Sequence, residues 1–424
     1  MAKRSETSIV YYASARATKW DYKYSLIAKL EELIKRLDFS QHIEPNDYVA
    51  VKTHFGSEGV HRIVRPIFLR KIVEGIKAVG GKPFVTDSTR IRGWDYLEVA
   101  NQEGINPLSV GAPVILADGI FGYDNVAVKA GPILGEISVC SAIHDAPAMV
   151  VVTHCKGHIQ AGYGGAIKNI SMGGVSGRHR SGDWKRARGH LHVPSEMDMI
   201  RDLELCTFCL QCYHVCPTGA ILFNGAELSF DEDRCWRCGR CARVCPEGAI
   251  TKGRELTEFQ RGLAEAAQAV LSTFAPGKVL YVNFLLEVQP ECDCMPVADT
   301  PVVQDQGILA STDIVAIEQA SYDLINQAAP LPGSLAADKG LRQGDRVLAD
   351  TLGIDAQEQI DAAAELGLGS KAYELVEVES KGLGQSVRPP RFFVNLGGLI
   401  GSGGGKTRAG LDRWSGGYRF AGGV

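Results

Sequence analysis

The sequence predicts an α/β fold, a parallel or mostly parallel sheet, with a small cysteine-rich α+β module inserted into it. Three observations predict this. Short apolar runs alternate with segments of helical periodicity over residues 1–195. A tandem cysteine repeat then occupies residues 205–252. The strand–helix alternation resumes behind it, and no flexible linker is evident near 195 or 253. The repeat therefore reads as an insertion into one α/β domain rather than as a separate bead.

The first α/β part, 1–195, opens with a strand-like run at 9–12. A short apolar run at 48–52 ends in Thr53-His54-Phe55-Gly56. Residues 65–79 place Ile67, Phe68, Ile72, Ile76 and Val79 at helical spacing and stop at Gly80-Gly81. Strands follow at 83–86, ending in Asp87-Ser88-Thr89, at 114–117, and at 148–153, ending in His154-Cys155. Continuous apolar strands separated by helices belong to parallel sheets with both faces covered. Ligands of such sheets bind beyond the carboxyl ends of the strands. His54, Asp87, His154 and Cys155 all fall at those ends, as candidate catalytic residues.

The insertion, 196–253, reads Cys206-x₂-Cys209-x₂-Cys212-x₃-Cys216-Pro217 and then Cys235-x₂-Cys238-x₂-Cys241-x₃-Cys245-Pro246. Each half is the bacterial ferredoxin run, and two in tandem specify two [4Fe–4S] clusters, the fourth cysteine of each run serving the other cluster. Cluster one is thus assigned to Cys206, Cys209, Cys212 and Cys245, and cluster two to Cys235, Cys238, Cys241 and Cys216. The match extends beyond the ligands, since Val-Cys-Pro-Thr-Gly-Ala-Ile at 215–221 returns as Val-Cys-Pro-Glu-Gly-Ala-Ile at 244–250. Structural zinc uses four ligands in two pairs, and disulfides do not account for the repeat.

The second α/β part, 254–380, begins with a helix at 255–274 and a long strand at 278–288. Cys292-Asp293-Cys294 follows. Cysteines two apart on extended chain point to one side, so this pair is a possible third metal site or a redox pair, against the plainer reading of small buried hydrophobes. A helix at 313–326 starts behind Ser311-Thr312 as N-cap. Another helix at 355–366 and a strand at 373–378 close the domain. Residues 381–424 form a glycine-rich tail. Its Gly405-Lys406-Thr407 is not a phosphate loop, because Ile400 stands where that motif needs glycine.

Two further stretches carry chemistry. Lys156-Gly157-His158 runs through Gly162, Gly164 and Gly165 to Lys168. The glycines would let backbone N–H groups approach an anion that Lys156 and Lys168 neutralise, unless they only pack a connection. The dinucleotide fingerprint is not met, with Ile167 at its last position. Beyond it, Arg178, His179, Arg180, Lys185, Arg186, Arg188, His190 and His192 form a local basic patch, in the plain reading a solvated face and in the sharper one a site for an acidic redox partner or a phosphorylated substrate. Nucleic-acid binding is not expected of a chain with net charge −4 and pI near 6.2. No apolar stretch is long enough to span a bilayer, and the amino terminus lacks the apolar core of a signal peptide. The expectation is a cytoplasmic protein whose cysteines are thiols or ligands.

These residues reach a known family. Lys52-Thr53-His54-Phe55-Gly56, Pro83-Phe84-Val85-Thr86-Asp87-Ser88-Thr89, His154-Cys155-Lys156-Gly157-His158 and Gly164-Gly165-Ala166-Ile167-Lys168-Asn169 resemble the domain of unknown function 362 family in its ferredoxin-fused form, the uncharacterised iron–sulfur centre proteins. Cys292-Asp293-Cys294 and residues 304–311 extend the resemblance, which covers about residues 45–330. It implies an α/β fold with an inserted two-cluster ferredoxin, typical of anaerobes, and no assigned substrate.

The functional expectation is a ferredoxin-dependent reductase. Electrons would arrive from a ferredoxin- or flavodoxin-type partner through two [4Fe–4S] clusters. They would leave at a small-molecule site built from His54, Asp87, His154, Cys155, Lys156, His158 and Lys168, with Cys292 and Cys294 as metal ligands or a redox pair. Two alternatives stand beside it: a non-catalytic electron-carrier or electron-input subunit of a larger complex, and a non-redox isomerase or hydratase with structural clusters.

Overall fold

The computed structural model describes residues 7–89, 93–179, 181, 184–192, 201–216, 219–231, 234–235, 240–250 and 255–378. The expected glycine-rich tail and the expected boundaries near 195 and 253 lie outside them.

Eight strands form the central sheet: β1 (Ser8–Ser14), β2 (Tyr48–Lys52), β3 (Lys82–Asp87), β4 (Val114–Leu116), β5 (Ala148–His154), β6 (Val279–Leu285), β7 (Gly307–Ser311) and β8 (Tyr373–Glu377). Their order is β8-β1-β7-β6-β5-β2-β3-β4. Only β7 runs against the rest, pairing antiparallel with both β1 and β6. The fold is thus mixed α/β with a mostly parallel sheet.

Burial explains the helix placement. Strand β5 is buried at every position, and its residues alternate between two apolar clusters. Met149 and Val151 face the cluster built with α4 (Ala166–Gly173), α5 (Leu256–Leu271), α6 (Ile314–Gln327) and α7 (Gln357–Glu365). Val150 and Val152 face the cluster built with α1 (Leu26–Leu37), α2 (Pro66–Ala78) and α3 (Gly93–Gln102). Helix α2 shows how sequence dictates this. Phe68, Leu69, Ile72, Val73 and Ile76 make one buried stripe, and Pro66 sits in the first turn where its missing N–H costs nothing. Each such apolar side chain contributes about 1.5–3 kcal/mol on burial.

The structure amends three readings. The N-cap of α6 is Asp313, whose carboxylate accepts from the amides of Val315 and Ala316, rather than Ser311-Thr312. The long strand at 278–288 ends at Leu285, and Glu287 takes a left-handed φ of 52° that turns the chain toward Cys292. Cys292-Asp293-Cys294 is consequently a turn, not extended chain, so Asp293 also reaches the interior.

Between α4 and α5, residues 201–250 build a small cluster of their own. Short helices Gln211–Val215 and Arg240–Val244 pack together, and Ile221–Phe223 pairs antiparallel with Leu228–Phe230. Cys212, Ile221, Leu228, Ala242 and Ile250 are its buried residues. Among the described residues, no helix is long and apolar enough to cross a membrane.

Candidate functional site

The carboxyl ends of β2, β3, β5 and β6 lie side by side, and a cavity of about 950 Å³, counting its open mouth, sits beyond them. Lys52, His54, Asp87, Lys156, His158, Lys168, Arg188 and Cys294 are on its wall.

Two buried ion pairs shape that wall. Asp87, the last residue of β3, meets Lys52 Nζ at 2.9 Å, His54 Nδ1 at 2.9 Å and the Tyr96 hydroxyl at 2.6 Å. Lys52 also donates to Asn169 Oδ1 at 2.7 Å, which ties β2 to α4. Burial alone would raise the Asp87 pKa, but Lys52 and His54 outweigh it and hold the carboxyl well below its usual range. Gly173 lies over this pair, and a Cβ there would collide with Lys52 Nζ and Asp87 Oδ1, so only glycine lets α4 approach.

The second pair joins β5 to the cysteine turn. Asp293 meets Lys156 Nζ at 2.9 Å and His154 Nδ1 at 3.0 Å. Burial again opposes ionisation, and Lys156 and His154 overcome it, leaving Asp293 at about 2. His154 Nε2 faces the Leu286 carbonyl at 2.8 Å, so this ring braces Asp293 from behind the cavity wall.

Next to that brace, the donor atoms of His158, Cys292 and Cys294 all lie within 4.8 Å of one another, near enough to hold one metal ion. Lys168 Nζ and the Cys294 amide each donate to Cys292 Sγ at 3.3 Å. Burial disfavours a Cys292 thiolate, yet the Cys294 side chain, Lys168 and His158 bring its pKa well below the usual thiol value.

Of the residues expected in the site, His54, Asp87, Lys156, His158, Lys168 and Cys294 line the cavity; Cys292 stands just behind. Cys155 does not join them. It lies in the apolar cluster under α4–α6, takes a 3.1 Å hydrogen bond from the Tyr163 hydroxyl, and burial pushes its thiol pKa up.

The glycine-rich connection also differs from expectation. The first amides of α4, those of Ala166 and Ile167, donate to the Glu318 carboxylate at 2.7 and 3.2 Å. The anion at that helix start is the protein's own. A Cβ at Gly165 would strike Glu318 and Tyr163, so this glycine serves packing. Burial lifts Glu318 to about 7, against the hydrogen bonds that favour its charge.

The basic patch divides. Arg178, Lys185 and Arg186 are exposed, whereas Arg188 is buried on the cavity wall, donating to Ser88 Oγ, Met172 O and Thr89 O. His192 is buried and stacks on Phe259. Arg180 lies outside the described residues. Tyr96, Asn169, Asp293 and Arg188 were not anticipated as site residues. Asn169 and Asp293 had a signal, as polar neighbours of Lys168 and of the cysteine pair. Tyr96 had none.

In the module, Cys206, Cys209, Cys212 and Cys245 line one cavity, floored by Leu228, Phe230 and Ile250. Three of these come from the first run and one from the second. Phe208 and Leu210 take left-handed φ of 55° and 59°, which coils the first run around that cavity. Cys216, Cys235 and Cys241 pack against the same apolar cluster, and Cys238 lies outside the described residues.

The fold and site define an α/β protein with a polar cavity at the carboxyl ends of its strands and a separate cysteine-lined pocket. Residues 49–323 match the family described as "Domain of unknown function (DUF362)", and the chain belongs to that family. Its twelve cysteines, together with the His158–Cys292–Cys294 group, suggest metal binding. No curated protein matches it. Among solved structures it is similar to the lactate racemase apoprotein from Thermoanaerobacterium thermosaccharolyticum, with 11% identity, 88% of this chain and 84% of that one covered, and a TM-score of 0.36.

Proposed function

We propose that this is an iron–sulfur electron-transfer protein, a ferredoxin-dependent reductase. Its inserted module holds two [4Fe–4S] clusters, and its α/β cavity takes a small-molecule substrate. Cys206, Cys209, Cys212 and Cys245 would hold one cluster and Cys235, Cys238, Cys241 and Cys216 the other. The observation that carries the reading is the module cavity, where the fourth cysteine of one run stands with the first three of the other. That crossing is what tandem ferredoxin runs require and what zinc pairs do not. Such clusters supply one electron at a time.

The chain's own residues do the rest. Reduction of an organic substrate takes up protons, and the cavity wall offers donors at Lys156, Lys168 and His54. Asp87 and Tyr96 fix the His54 ring through Nδ1, and Asp293 fixes Lys156. The apolar clusters on both faces of the sheet keep these groups in place.

Anaerobic purification followed by iron and acid-labile sulfide counting tests this directly. The reading expects about eight of each per chain, from two four-iron clusters. Cys206→Ser should remove about half while Cys155→Ser removes none. A colourless protein that holds zinc and no sulfide in the module would end it.

A further inference from the structure

We propose that His158, Cys292 and Cys294 bind one zinc-class divalent cation, with a remaining coordination position open to the cavity. This site uses none of the ferredoxin cysteines and stands or falls independently of the clusters.

The donor set is the first argument. Two thiols and one imidazole within 4.8 Å of one another suit a borderline-soft, tetrahedral ion and offer nothing to magnesium or calcium, which want oxygen. Among the described residues the group offers three protein ligands, and three rather than four are the mark of a site that keeps a place for water or substrate. Here that place has somewhere to open, because His158 and Cys294 are on the cavity wall while Cys292 is fully buried behind them.

Preorganisation is the second. The three ligands come from two chain segments, one following β5 and one following β6. The Lys156–Asp293 ion pair bolts those segments together between the ligands, since Lys156 lies two residues before His158 and Asp293 stands between the cysteines. The His158 ring is held too. Its Nδ1 accepts from the amides of Gln160 and Ala161 at 3.2 and 3.0 Å, leaving Nε2 as the nitrogen for a metal. In the metal-free ring Nδ1 accepts and Nε2 carries the proton; ligation at Nε2 moves that proton to Nδ1, which then donates, and the Gln160 and Ala161 amides turn away from it.

Charge is the third. Two thiolates neutralise a divalent ion, and Lys168, hydrogen-bonded to Cys292 Sγ, is placed as an outer partner that tempers thiolate donation. The ligand class at the open position is an oxygen donor of a small substrate, a carbonyl or carboxylate, which Lys156 and Lys168 flank.

Zinc K-edge X-ray absorption on the full, anaerobically purified chain supplied with zinc tests the assignment without interference from iron. The expected result is about one zinc per chain with two sulfur neighbours near about 2.3 Å and the rest light atoms near about 2.0 Å. A C292S/C294S double substitution should cut zinc at least tenfold and leave sulfide unchanged, and K168M should retain zinc. Zinc below a tenth of an equivalent would overturn the proposal. So would zinc unaffected by the double substitution, or a shell of four sulfurs, which would put the metal in the ferredoxin module. Should the double variant fail to fold, the coordination shell of the unsubstituted protein decides alone.

Discussion

The α/β frame and the cysteine module are held together in different ways. The frame has two large apolar clusters, a strand buried on both faces, and buried internal ion pairs. Its helix α6 is capped by the Asp313 carboxylate. Among its described residues the module's cluster has five buried ones, one of them a cysteine, and its helix Gln211–Val215 starts at Leu210 with no side-chain cap. So small a core does not offset the entropy of ordering its chain. The frame folds by burial; on the proposed reading the module relies on ligands at its cysteines.

On the proposed reading, in which the module holds iron, removing that iron is the strongest way to break the comparison. Hydrogen exchange should show amides over 201–250 losing protection by orders of magnitude, while those of β5 and β6 stay protected. Retained protection in the iron-free module would mean its apolar cluster suffices and the contrast is wrong.

The next effect concerns the frame's own ion pairs. Lys52→Met takes the ammonium partner from the buried Asp87, leaving it with His54 and hydrogen bonds from Tyr96 and Ser88, and should lower stability by roughly 3–5 kcal/mol in urea titrations. Replacing both partners, K52M/D87L, should recover much of that loss yet abolish substrate binding, because a dry apolar pair satisfies folding but not the cavity. If K52M costs nothing, the pair is not a structural member.

Titration sharpens the picture further, with two opposite limbs. Asp87 is depressed in the folded state, so its contribution is complete above its ordinary carboxylate range and lost as pH falls through the folded value. Glu318 is raised from 4.5 to about 7, so the native state holds its proton longer and stability declines as pH rises between those values. Unfolding midpoints measured against pH should therefore flatten at the acid side in D87N and between pH 5 and 7 in E318Q. Swapped effects would contradict both assignments.

The smallest effect is the cap. Asp313→Ala removes the acceptor for two α6 amides and should cost about 1 kcal/mol. Leu210 has no cap to remove, so a change there reads packing against the module's cluster instead.

Much of this was legible in the sequence, for physical reasons. Apolar runs such as 48–52 and 148–153 have to be covered on both faces, so their strand character and the polar clusters at their ends followed. Tertiary partners were harder. Strand β7 lies within 304–311, whose motif was noted without its direction, since nothing local distinguishes a parallel from an antiparallel run of Gly-Ile-Leu-Ala-Ser. Cys155 looked like a site residue because it follows His154, but a strand's alternation sends neighbours to opposite sides. Tyr96 enters the site from α3, where it reads as one more apolar-face residue.

The Glu318 carboxylate beneath the first turn of α4 has a consequence for how the cavity selects its guest. With that helix end already neutralised from inside, whatever attraction the chamber has for its guest is written in exchangeable side chains, Lys156, Lys168 and Arg188, rather than in fixed peptide dipoles. What the chamber admits is therefore set by side chains rather than by the backbone of α4.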